Sequence, residues 1–393
     1  MALTGEQIEA ITRSTVDLYR TAEQAILREV TRQLLAGIDA QDWAVNRLGA
    51  LATLRRTVER VLQVVEADGT EQIREALAKA YRSGQAAATT GLPAQLLPRD
   101  PDVVRAAAVV ADVVTRAGVI ENLASALVQD VGERHSNVLR HVLDVYRTVI
   151  QQATAVSVAG GQTRRQASQH AYRRFIDQGL SSFTDSRGRV WRLSSYVEMA
   201  VRTVTQRAAV QGQTDRLQTL GLDLVIVSNS PRECERCRPW EGKVLSISGR
   251  QRGRTQMASR VGGGTVTVDI AGTVDEARAD GLQHPNCTHA LRAFIPGATK
   301  PPTGDLANPK GYEAKQRQRE IERQIRHWKE REIGALDDVD RAYAVDKIRW
   351  WQAEMRGHLA THPELKRLRY RETIGAGICP VSRSGRCACA PPR

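Results

Sequence analysis

Cysteine is sparse: six thiols in 393 residues do not make a disulfide scaffold. No apolar run approaches the roughly 18 residues a membrane helix needs, so no membrane span is expected. The opening, Met1-Ala2-Leu3-Thr4-Gly5-Glu6, has no basic n-region and no apolar h-region, so no signal peptide is expected. These absences predict a protein made in a reducing cytoplasm. Gly-x-Ser-x-Gly is missing, which removes the common serine-nucleophile elbow. No Walker-type phosphate loop occurs. No internal repeat is found. Lysine is scarce, so arginine carries most of the positive charge.

That charge is unevenly placed. The chain totals +13 with a pI near 9.8. Residues 1–159 sum to −2, residues 160–260 to +10, residues 261–300 to −1 and residues 301–393 to +6. A local excess of this kind fits a polyanionic partner, and non-specific double-stranded DNA is the expected one.

Hydrophobic spacing predicts a chain that is mainly α with a small α+β core. Apolar residues return at helical intervals over Thr4–Ala36, Trp43–Ala67 and Glu71–Ala88, with a break placed at Asp68-Gly69. The stretch from Gly91 to Pro101 carries three prolines and ends the helical pattern. The clearest helix spans Ile120–Val156, with Leu127, Val131, Val138, Val142, Tyr146 and Val149 on one stripe. Gly160-Gly161 follows it. Thr163 and Ser195 each open a capping-box pattern. Ser182–Thr184 and Val190–Arg192 flank a Gly-containing loop and predict a hairpin.

From Leu222 the period shortens. Leu222–Ser228, Val244–Ile247 and Val266–Ile270 read as strands, and Thr273–Ala279 as a short helix. Two charged helices, Tyr312–Ile333 and Val339–Leu359, follow a Pro-rich linker. The expected organisation is a helical region at 1–100, a long-helix region at 101–180 and an α+β core at 181–298. A linker at 299–311, a charged helical region at 312–372 and a disordered tail at 373–393 complete it. The tail holds Cys379, Cys387 and Cys389.

The chemistry concentrates between Cys234 and His289. Cys234-Glu-Arg-Cys237 and His284-Pro-Asn-Cys287 each supply two soft ligands from one turn, as a tetrahedral zinc site requires. The expected ligands of a structural zinc are Cys234, Cys237, His284 and Cys287. His289 is the alternative to His284, which sits in the stiffer turn. A redox Cys-x-x-Cys fits less well, because Pro239 interrupts the helix such pairs open. A His-Asn-His nuclease is the enzymatic alternative, although His284, Asn286 and His289 fall too close together for its metal core. Glu233 and Glu235 read as loop-solvating. Trp240 is expected to pack under the metal loop, and Gly242 to turn the chain into Val244. No catalytic residues are assigned.

These residues carry a resemblance. Leu224-Val-Ile-Val-Ser228, the run from Glu233 to Ser246, Gly281–His289 and Ile295-Pro-Gly297 resemble the phage minor capsid protein 2 family. Upstream, Gly179–Asp185, Gly188–Trp191 and Leu193–Ala200 follow the same pattern. The resemblance covers roughly residues 110–300. Its core is related to Mu F-like head morphogenesis proteins. The resemblance implies a nonenzymatic component of the phage head, made in the host cytoplasm and present in a few copies near the portal. It implies portal and capsid proteins as partners, and a role in head assembly that extends to DNA packaging or delivery. Some relatives carry a fused toxin or enzyme domain, and a head-carried toxin is a further alternative. The last 90 or so residues show no such catalytic set.

Overall fold

A computed structural model describes residues 3–90, 92–97, 118–158, 162–229, 235–284, 287, 289–301 and 308–374, with only the backbone of Ala94 and Val158. Several expectations fall outside these residues: Cys234, Gly160-Gly161, Pro98–Pro101, residues 302–307 of the 299–311 linker, and the tail from Gly375 with its three cysteines.

The described chain is dominated by helices: α1 Gly5–Leu35, α2 Trp43–Gly49, α3 Leu51–Thr89, α4 Val119–Val158, α5 Arg164–Gln178 and α6 Leu193–Thr219. The short α7, Val274–Ala279, follows within the β region, and α8 Pro309–Ile333 and α9 Asp338–Thr361 close the series. Strands β1 Ser182–Thr184 and β2 Val190–Arg192 form a hairpin. β3 Leu224–Val227, β4 Val244–Ser246, β5 Gly253–Ala258, β6 Thr265–Thr273 and β7 Leu291–Ala293 form one sheet in the order β5-β6-β4-β3-β7. The fold is therefore mainly α with a small α+β core, as the periodicity predicts.

Two compact units partition the chain. The first takes Met1–Arg13, Gln72–Leu127 and Met199–Glu313; the second takes Ser14–Glu71, Val128–Glu198 and Ala314–Arg393.

In the first unit the sheet is apolar on both faces. Leu224, Ile226, Val244, Val268, Ile270 and Phe294 cluster on one side. Val225, Val227, Leu245 and Leu291 pack on the other with Leu217 of α6, Val274 and Ala277 of α7, and both Cys237 and Cys287. Alternate residues of β3 thus serve opposite faces, the period-2 rule of a strand. β3 runs antiparallel to β4 and β7, whereas β4 runs parallel to β6. Thr273 caps α7 through a capping box with Glu276.

Helices α3 and α6 meet through glycine in the same unit. A Cβ on Gly84 would lie 1.9 Å from the Ala209 carbonyl oxygen, and one on Gly212 would lie 2.1 Å from that of Tyr81. The Tyr81 hydroxyl then donates to Asp215 at 2.8 Å. Glycine inside a helix normally destabilises by about 1 kcal/mol relative to alanine. Here backbone contact reverses that sign. Gly84→Ala and Gly212→Ala are each expected to destabilise by on the order of 3 kcal/mol, the upper range of overpacking. Urea denaturation of the full chain checks this. An unchanged or raised midpoint would remove the crossing as a constraint.

In the second unit Gly69 corrects the sequence reading. Asp68-Gly69 does not end a helix; it lies inside α3. A Cβ there would meet the Tyr19 hydroxyl at 3.1 Å, so this glycine makes room for a tyrosine. The Ser195 cap is corrected too. β2 runs directly into α6 at Leu193, and Glu23 of α1 accepts from the Ser194 N–H at 3.0 Å. A carboxylate from a distant segment does the capping. Thr163, by contrast, forms its full capping box. In the hairpin, Asp185 accepts from the N–H groups of Arg187 and Arg189 and from the Trp191 indole. The backbone N–H of Arg189 leads in holding this carboxyl below its ordinary range.

Helices α8 and α9 belong to the second unit's core. Ile321, Ile325 and Met355 are fully buried together, with Trp351 and Leu359 against them. Arg331 pairs with Asp177 at 2.6 Å, and the Leu336 N–H donates to the Gln169 side chain.

Candidate metal centre

The centre is built from two loops of the first unit. One follows β3 and runs through Cys237 into a 3-10 turn, Arg238–Trp240. Gly242, at φ +67, donates to the Val227 carbonyl at 3.1 Å and turns the chain into β4. Trp240 packs against the apolar cluster that contains both cysteines. The second loop leaves α7 through Gly281 at φ +107 and Gln283 at φ +59. It closes where the Cys287 N–H meets the His284 carbonyl at 2.9 Å. That turn sets His284 and Cys287 side by side.

Cys237, His284 and Cys287 bring their ligand atoms within 4.8 Å of one another. The two Sγ atoms are 3.5 Å apart, and both thiols are buried. Sulfur atoms on adjacent corners of a zinc tetrahedron, each about 2.3 Å from the metal, would stand about 3.8 Å apart. The observed spacing is near that edge. The donor set is soft sulfur plus imidazole, which suits zinc. Cys234 precedes this group in the chain but lies outside the described residues.

His289 is placed elsewhere. Its Nδ1 lies 3.5 Å from Cys287 Sγ, its backbone N–H donates to that sulfur at 3.4 Å, and its Nε2 lies 2.6 Å from Glu241 Oε1. Hydrogen bonding from Cys237 leads in holding the Cys287 thiol below its ordinary range, against burial and with help from His289. Burial works against charge on His289, but Cys287 and Glu241 outweigh it and raise the imidazole. The pattern is a thiolate steadied by an imidazole, itself steadied by a carboxylate. Metal sites use such outer contacts to orient their ligands. The thiolate is also the form that binds metal.

Glu241 was not singled out by spacing. Its role depends on the turn between β3 and β4, and nothing in the local pattern signals it. Glu235 is exposed, in keeping with a loop-solvating role. The nuclease reading requires a histidine that can reach a substrate. His289 is 2 % exposed and engages protein groups through both ring nitrogens.

Residues 3–360 match the phage minor capsid protein 2 family. The chain belongs to that family. The match runs well beyond the 110–300 span of the sequence resemblance, into the N-terminal helices and through most of α9. This minor capsid protein is similar to a structural protein of Lactococcus phage LL-H, 26% identical over 221 residues. The aligned region is 54% of this chain and 57% of that protein, so the chain spans a little over half the length of its relative. No solved structure matches. Membership makes the chain a phage virion protein. Among the described residues no helix is long and apolar enough to cross a membrane.

Proposed function

We propose that this minor capsid protein is a nonenzymatic head-assembly component near the portal. In this reading a structural zinc, held by Cys234, Cys237, His284 and Cys287, pins its α+β core. The observation that supports the structural role is the burial of both thiols. Both thiols sit in the apolar core, and His289 and Glu241 are spent on orienting Cys287. Catalytic zinc keeps an open position, whereas structural zinc is enclosed by protein ligands. The zinc would tie the loop after β3 to the loop before β7. The +10 excess over residues 160–260 supports sequence-independent DNA contact, which is expected to weaken steeply with salt.

Docking to portal or capsid proteins is assigned to α9. Val339, Tyr343 and Trp350 are 81, 51 and 50% exposed, at helical intervals along one stripe. Lys347 lies over the Tyr343 and Trp350 rings at 5.4 and 5.9 Å. Exposed aromatics of this type dominate binding energy at interfaces. The Tyr343→Ala, Trp350→Ala protein is expected to stay folded and to enter heads about tenfold less, equal to roughly 1.4 kcal/mol. Quantitative immunoblotting of purified heads checks this. Normal incorporation would move docking away from α9, and density for the chain far from the portal vertex in cryo-EM would remove the portal assignment.

A further inference from the structure

We propose that a cavity beside α7 in the first unit binds a phosphate-type oxyanion. The cavity, of about 490 Å³, has an apolar wall at Leu123 of α4. Arg207 and Gln211, one turn apart on α6, Arg278 of α7 and Gln283 of the following turn supply its polar wall. No carboxylate lines it among the described residues.

Three features point to an anion. First, two guanidinium groups share one cavity. Asp275 answers Arg278 at 3.3 Å but is itself 88% exposed. Burial, with Arg207 adding repulsion against the opposing pull of Asp275, draws Arg278 below its ordinary range. An anion between two such cations would relieve that repulsion. Second, Gln283 is 6% exposed. Its Oε1 accepts from Arg278 Nε at 3.0 Å, and its Nε2 is a buried donor with no partner among the described residues. A buried donor without an acceptor is costly and calls for a ligand. Third, Gln283 is the only non-glycine residue at positive φ among those described. Such strain concentrates at binding sites. The neighbouring Gln211 amide is already committed to Asp215 at 2.7 Å, so the recognising groups are Arg207, Arg278 and Gln283. Forked guanidinium donors match the several oxygens of a phosphate. The phosphate could be free or part of a nucleic-acid backbone. His284 also lines the cavity and Arg207 falls within residues 160–260, but none of the three recognising groups is a proposed zinc ligand.

The test uses the full chain with two probes. Calorimetric titration with inorganic phosphate is expected to show one site per chain. Arg207→Gln, whose side chain is exposed, and Gln283→Glu should each weaken it at least about tenfold, the scale of a lost charge-assisted hydrogen bond. In the second arm, double-stranded DNA is titrated at several salt concentrations. With phosphate binding lost, a parallel fall in DNA affinity and a salt slope lower by about one in Arg207→Gln identifies the nucleic-acid backbone as the source. Unchanged DNA affinity identifies a free phosphate. The proposal is overturned if the wild type takes up no phosphate, or if both variants bind it as the wild type does. A loss seen with DNA alone also overturns it, since that reports only a surface charge.

Discussion

The Cys237→Ser, Cys287→Ser protein is expected to carry no zinc and to lose the fold around β3, β4 and β7. Both thiols lie in the same apolar cluster as Val225, Val227, Leu245 and Leu291. Serine cannot replace a thiolate as a zinc ligand, and it leaves two hydroxyls in an apolar pocket. Structural zinc contributes on the order of 10 kcal/mol in small domains, which rivals the whole stability of a typical domain. The effect should stay local to the first unit. Hydrogen exchange read at β3 and β4 amides, together with metal analysis, measures it. Native protection in a zinc-free double variant would show that packing alone holds these loops together. Cys234→Ser is expected to weaken zinc retention as well, since a fourth ligand is otherwise missing.

Removing residues 310–393 is expected to unfold the second unit. The sequence pattern suggests the opposite, because α8 and α9 are highly charged and follow a proline-rich stretch. That pattern predicts a soluble core without its docking arm. The packing says otherwise. Truncation deletes Ile321, Ile325 and Met355, all fully buried. It also uncovers Ile176, which a Cβ on Gly334 would touch at 2.2 Å. Asp177 would lose Arg331, and Gln169 would lose the Leu336 N–H. Each large apolar side chain taken out of burial forfeits about 1.5–3 kcal/mol, so a few of them exhaust a margin of about 5–15 kcal/mol. The truncated protein should aggregate or lose exchange protection in α5. A soluble product with native α5 protection would restore the detachable-arm reading.

The contrast between α4 and α8 shows what local pattern can reveal. The stripe Leu127, Val131, Val138, Val142, Tyr146 and Val149 is buried along its length, and its period alone placed that helix within two residues at each end. The hairpin β1–β2 and the Thr163 cap were legible for the same reason, since their determinants lie within a few residues. β5 was not legible. Its residues alternate between half-buried and exposed and include no apolar run, as suits an edge strand. Gly69 and the α6 cap depend on partners about 50 and 170 positions away, Tyr19 and Glu23. No window of sequence contains both members of either pair. The interleaving of the two units was hidden likewise, because helical period is blind to which segment covers a face.

At the candidate centre, spacing named Cys237, His284 and Cys287, and the fold gathers those three. It favoured His284 over His289 for its stiffer turn, but gave His289 no role of its own. Geometry separates them: His284 joins the thiols, while His289 contacts one of them and turns to Glu241. Glu241 and Gln283 were silent in the sequence because their importance comes from what the loops bring near them.

The most direct test of a zinc-pinned core is zinc K-edge X-ray absorption on the purified full-length chain. The expected result is one zinc per chain in a shell of three sulfurs at about 2.3 Å and one nitrogen at about 2.0 Å. Well-folded protein with no zinc, or zinc bound only by oxygen and nitrogen, would contradict it.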